Sequence, residues 1–138
     1  MTQRLSVLVI DDDQLILDIC FTALTRRGCR VITAHDGERG LEIMREQRPA
    51  VVLLDLMMPK KSGLEVLRDM KDLEETRGVP VLVLTNSTRE DDRQEAERLG
   101  ALKYLVKTDN GPEDIWQQIV KAAAAQSPAA GSAPSAGA

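Results

Sequence analysis

Residues 51–63 read VVLLDLMMPKKSG. Four apolar residues rich in Val and Leu form a run too short for a helix, and such a run marks a strand covered on both faces. A carboxylate, Asp55, ends it, and three further apolar residues follow (Leu56, Met57, Met58). A charge embedded in such a run is seldom decorative. Pro59 and Gly63 shape a loop, and Ser62 with Glu65 reads as a capping box opening a helix to about Thr76. The unit is strand, loop, helix.

The same unit recurs along the chain. Leu5–Ile10, Cys29–Ala34, Val79–Leu84 and Ala101–Val106 are the other strand candidates. Cys29–Ala34 is the most polar and reads as an edge strand. Gln14–Arg27 is a helix stopped by Gly28, a good residue just past a helix end. Asp36 caps a helix over Gly37–Gln47, in which Gly40 implies close packing. Ser87 and Glu90 read as a second capping box, with that helix ending before Gly100. Pro112 suits the first position of a last helix running to about Ala125. Five β-α units in alternation predict an α/β fold, a doubly wound parallel sheet with helices on both faces. The folded unit spans 1–126. Residues 127–138 contain only Ala, Ser, Gly and Pro, and read as a flexible tail or linker of roughly 17–20 Å mean span.

Composition excludes several classes. The chain has 138 residues, 43% hydrophobic and 29% charged, the balance of a globular domain. Eighteen basic against 22 acidic residues give a net charge of −4 and a pI near 5.1, which argues against direct nucleic-acid binding. Cys20 and Cys29 are too few for a disulfide framework and read as reduced thiols, consistent with a cytoplasmic location. No run approaches the 18 or more apolar residues of a membrane helix, and the start of the chain is wrongly flanked for a signal peptide. A single histidine, His35, builds no multi-histidine metal site.

In a parallel sheet of this type, ligands bind beyond the carboxyl ends of the strands. The residues there are Asp11, Asp12 and Asp13, then Asp55, then Thr85 and Asn86, then Lys107. Clustered carboxylates repel unless a cation neutralises them. All the candidate ligands are oxygens, which selects a hard cation, Mg²⁺ or Mn²⁺. A carboxylate beside such a cation and a lysine suits phosphoryl transfer, with the carboxylate as nucleophile forming an acyl phosphate.

Four segments, VLVIDDD (7–13), VVLLDLMMPKKSG (51–63), VPVLVLTNS (79–87) and GALKYLVK (100–107), occur in an order and spacing that resemble the receiver domain of two-component response regulators, over residues 4 to about 125. The resemblance implies a five-stranded sheet of order 2-1-3-4-5 with five helices. It implies that Asp55 accepts the phosphoryl group, that Asp12, Asp55 and the backbone carbonyl of Met57 ligate magnesium, and that Asp11 acts on the metal through water. Asp13 falls one place beyond the acidic pair and is left without a role. Lys107 would pair with the phosphoryl group. Thr85 would move its hydroxyl to a phosphoryl oxygen, and Tyr104 would turn inward as it does so. The implied protein is a signalling phosphoacceptor rather than an enzyme. Its donor would be a histidine kinase or a histidine phosphotransfer protein, and its output a protein target bound through the fourth helix, fifth strand and fifth helix, as a monomer or weak dimer.

The pattern departs from the family in places. Thr108 follows Lys107 where most members have proline, often after a cis bond, so the bond here is expected to be trans or a strained cis. The loop Thr108-Asp109-Asn110-Gly111 is atypical, and Asn86 and Ser87 stand where small apolar residues are frequent. Asp11-Asp12-Asp13 also contains the D-x-D of haloacid-dehalogenase-type phosphatases, but Leu15 stands where that family prefers Thr or Val. A receiver-like module that binds partners without phosphorylation is the other alternative.

Overall fold

The computed structural model describes residues 4–126. The expected flexible tail, 127–138, lies outside the described residues. The chain runs β1 (Ser6–Ile10), α1 (Gln14–Arg26), β2 (Arg30–Ala34), α2 (Gly37–Gln47), β3 (Val51–Leu54), α3 (Gly63–Asp72), β4 (Val81–Thr85), α4 (Glu90–Arg98), β5 (Lys103–Val106), a 3₁₀ turn over Lys107–Asp109, and α5 (Pro112–Gln126). The five strands are parallel in the order β2-β1-β3-β4-β5. The expected doubly wound fold and strand order are therefore observed, with the polar strand β2 at an edge.

Alternation along each strand divides the core in two. Leu8, Ile10, Val52, Leu54, Val81 and Val83 pack with α2, α3 and α4 through Ile43, Met44, Val66, Leu67 and Ala96. Val7, Val9, Val51, Leu53, Leu82 and Leu84 pack with α1 and α5 through Leu17, Leu24, Ile115 and Ile119. Every residue of β3 and β4 is buried, as two covered faces require. Gly40 brings α2 onto the sheet: a Cβ there would lie within 2.9 Å of Ile10 Cγ1.

Three local expectations are corrected. α3 ends at Asp72, not near Thr76, because Leu73 turns extended (φ −116°, ψ 125°). The buried Thr76 hydroxyl then folds back and donates to the carbonyl of Met70 at 2.9 Å, satisfying an end carbonyl that a longer helix would have bonded itself. α4 starts at Glu90 with Arg89 as N-cap and no side-chain cap. Ser87 instead donates to Asp92 at 2.6 Å, so the second capping box does not form. The expected strands at Leu5, Cys29, Val79 and Ala101 begin one or two residues later, and β4 starts only after Pro80, which has no N–H to give the ladder.

Candidate functional site

The order 2-1-3 makes the chain leave β1 on one side and β3 on the other, and opens a crevice above the carboxyl ends of those strands. Their backbones are tied there: Asp55 N–H donates to the Ile10 carbonyl at 3.0 Å, and Asp11 N–H to that of Ala34 at 3.1 Å. Asp11 and Asp55 are thus held as continuations of adjacent strands, 2% and 5% exposed. Asp12 is exposed at the rim. Asp11, Asp12 and Asp55 each place one carboxylate oxygen within 4.8 Å of the others.

Lys107, directly after β5, reaches across the rim. Its Nζ lies 2.7 Å from Asp11 Oδ2 and 3.5 Å from Asp55 Oδ2. Burial alone would push the Lys107 ammonium down, but its bond to Asp11 and the charges of Asp55 and Asp11 outweigh this, and the net direction is up. The neighbouring carboxylates thus favour the charged form of the lysine. Burial pushes the Asp11 carboxyl up, against the lowering by Lys107 and by the N–H of Asp13, with the Asp55 charge adding to the rise. Asp11 accepts from Asp13 N–H at 2.9 Å, and Asp55 Oδ1 from Met57 N–H at 3.2 Å.

Together Asp11, Asp12, Asp13, Asp55, Met57, Asn86 and Lys107 line a cleft of about 450 Å³. Three convergent carboxylates against one ammonium leave two negative charges uncompensated in a site where two of the carboxyls are buried. An all-oxygen donor set with that deficit fits a hard divalent cation. Asp12, Asp55 and the Met57 carbonyl could hold it directly.

Thr85 and Tyr104 lie outside the cleft lining. Thr85 ends β4 beside Val106 of β5, fully buried, and its Oγ1 accepts from Ser87 N–H at 3.4 Å. Tyr104 donates its hydroxyl to the Ser87 carbonyl at 3.0 Å, and burial pushes that hydroxyl's pKa up. Ser87 joins these two residues to α4 through Asp92. That junction was not legible in the sequence, where Ser87 read as a helix cap. Asp13, left without a role, is the N-cap of α1 and accepts from Leu15 N–H at 3.0 Å.

Around the acceptor, Gly63 lets α3 start against the backbone of residues 55–56. A Cβ there would sit 2.7 Å from Leu56 Cα and nearer still to the Asp55 carbonyl oxygen. Ser62 and Glu65 form the expected capping box. No peptide bond is cis among the described residues, so Lys107 and Thr108 are joined in trans. The atypical loop winds into the 3₁₀ turn, and Asn110 donates back to the Val106 carbonyl at 2.9 Å.

This fold and this rim define a doubly wound α/β domain with an acidic site at the carboxyl ends of its strands. The family model for the response regulator receiver domain matches residues 7–120, and the chain belongs to that family, the receiver domains of two-component systems. A probable transcriptional regulatory protein of Mycobacterium tuberculosis, TcrX, is 38% identical over 105 residues, covering 76% of this chain and 44% of the relative. The chain thus spans less than half the length of that curated relative. The chemotaxis protein CheY4 of Vibrio cholerae superposes with a TM-score of 0.81 at 28% identity, over 87% of this chain and 99% of the other. The response regulator Rcp1, solved in a Mn²⁺-bound form, superposes with a TM-score of 0.71 at 29% identity, over 83% and 88% of the two chains. Among the described residues no helix is long and apolar enough to cross a membrane.

Proposed function

We propose that the chain is a phosphorylatable receiver in which Asp55 takes a phosphoryl group from a phosphohistidine on a histidine kinase or histidine phosphotransfer protein. One observation carries this reading. Asp55 is a buried carboxylate with an oxygen within 4.8 Å of those of two further carboxylates and 3.5 Å from the ammonium of a half-buried lysine, an arrangement costly to stability without a further cation to neutralise it.

Magnesium, or manganese, bound by Asp12, Asp55 and the Met57 carbonyl, with Asp11 acting through water, would supply charge neutralisation at the phosphoryl oxygens. The chain's own residues do the rest. Asp55 Oδ attacks phosphorus, the phosphorus–nitrogen bond breaks, and the imidazole leaves with the electron pair. The Lys107 ammonium, already 3.5 Å from Asp55, pairs with the new charge. Thr85 turns its hydroxyl toward a phosphoryl oxygen and so gives up the bond from Ser87 N–H. Ser87 carries that change to Tyr104 and Asp92, and the face formed by α4, β5 and α5 presents the result to a protein target. Water later hydrolyses the acyl phosphate and resets the domain. In this reading the chain is a phosphoacceptor that assists its own modification, residues 1–126 form the domain, it acts in the cytoplasm, and it touches neither nucleic acid nor membrane itself.

The test is phosphoryl incorporation from acetyl phosphate with Mg²⁺. Asp55→Asn should abolish it and Lys107→Ala should slow it by about tenfold or more. Equal incorporation by wild type and Asp55→Asn would reject the reading.

A further inference from the structure

The sequence contains five methionines. Three of the described ones are sealed in the core: Met44 is 0% exposed, Met70 4% and Met58 8%. Met57 is 60% exposed, and it lines the same cleft as Asp55, Asn86 and Lys107. Its position follows from the fold. The β3–α3 loop turns Leu56 and Met58 into the core and leaves the residue between them facing out, while Met57 N–H is pinned to the Asp55 carboxylate at 3.2 Å. A soft, oxidisable thioether therefore belongs to a residue beside an otherwise polar, charged site. The two thiols that would ordinarily compete for oxidant are withdrawn. Cys20 and Cys29 are 6% and 2% exposed, and burial together with the Asp11 charge pushes the Cys20 thiol up to about 11, which suppresses its reactive thiolate.

We propose that Met57 is a modification site: hydrogen peroxide converts it to the sulfoxide, and the sulfoxide shortens the life of the phosphorylated domain. This rests on the phosphoacceptor reading of Asp55. In the step, the Met57 Sδ lone pair attacks one peroxide oxygen, an S–O bond forms and the O–O bond breaks. The sulfur is oxidised by two electrons, and the remaining oxygen leaves as water after proton transfer. An apolar wall of the cleft becomes a strong hydrogen-bond acceptor. It holds water at the mouth of a cleft where water is the reagent that cleaves the acyl phosphate.

The experiment treats the full chain with graded hydrogen peroxide in the presence of a chelator and locates the added oxygen by peptide mass spectrometry. Mg²⁺ and acetyl phosphate follow, and the half-life of the phosphorylated form is measured after donor removal. Met57 should oxidise about tenfold faster than Met58 or Met70, and the half-life should fall by about threefold at full conversion. Met57→Leu, compared with its own untreated sample, should show no peroxide-dependent change in half-life. Oxidation spread evenly over the methionines or directed first to the cysteines, or a half-life unchanged or lengthened once Met57 is converted, would overturn the proposal. Absence of phosphorylation in untreated protein would instead reject the phosphoacceptor reading, because the oxidation map is read independently of it.

Discussion

Two loops flank the cleft, and they are held in different ways. The acceptor loop, from Asp55 to Ser62, is over-determined. Gly63 N–H donates to the Leu56 carbonyl at 3.0 Å, the capping box closes the start of α3, and the missing Gly63 Cβ lets two backbones touch. This rigidity supports Lys60 in the left-handed region (φ 69°), a conformation that costs about 1–2 kcal/mol for a residue with a Cβ. The lysine loop, from Lys107 to Gly111, is tied differently. Its backbone is held by Asn110, which donates to the Val106 carbonyl, by Gly111 N–H to Asp114 at 3.1 Å and by Ile115 N–H to the Gly111 carbonyl at 3.0 Å, while the Lys107 ammonium is held by its ion pairs with Asp11 and Asp55. The nucleophile is fixed by backbone geometry, while the cation that answers it starts a short 3₁₀ turn and is placed by its carboxylate partners, Asp11 and Asp55. A switch needs this asymmetry, since one group must stay where the phosphoryl arrives and the other must follow the new charge.

The sharpest way to break the contrast is Gly63→Ala. The added methyl meets backbone that cannot yield, so stability should fall by about 3 kcal/mol, a loss of about 10 °C in Tm, with phosphoryl incorporation lost alongside. Thermal unfolding and incorporation assays read both. Metal should act almost as strongly in the other direction. Mg²⁺ at about 100 times its Kd should add about 2.7 kcal/mol, and Asp12→Asn should remove most of that gain in the same melt. The increment depends on pH with a definite sign. The folded domain holds the Asp11 proton more tightly than the unfolded chain does. The metal-free protein therefore loses this contribution as pH rises through the raised Asp11 value, and the metal increment grows over the same window. Smallest is a matched pair. Ser62→Ala and Asn110→Ala should each cost about 1 kcal/mol, but only Asn110→Ala should also slow incorporation, because only it loosens Lys107. Equal kinetics in the two variants would erase the distinction between the loops.

The sheet was readable because its strands are near-continuous apolar runs cut by charges, and because caps such as Asp36 and Ser62 announce helices locally. The rim was readable for the same reason: Asp11, Asp55 and Lys107 each end a run, and a parallel sheet sends such ends to one edge. What escaped depends on tertiary partners. Ser87 has the spacing of a capping residue, yet three-dimensional packing gives its hydroxyl to Asp92 and its carbonyl to Tyr104. Thr76 looked helical until its buried hydroxyl found the end carbonyls of α3. Asp13 looked like one more acid in a cluster and serves a backbone N–H instead. The exposure of Met57 between two buried neighbours follows from a loop path that no periodicity encodes.

Three carboxylates converge on one point, and the account assigns the phosphoryl group to only one of them. The direct measurement is to phosphorylate the full chain with acetyl phosphate and Mg²⁺, trap the acyl phosphate chemically, and locate it by mass spectrometry. The label should fall on Asp55 alone and vanish in Asp55→Asn. Label on Asp11 or Asp12, or label that survives in Asp55→Asn, would contradict the assignment.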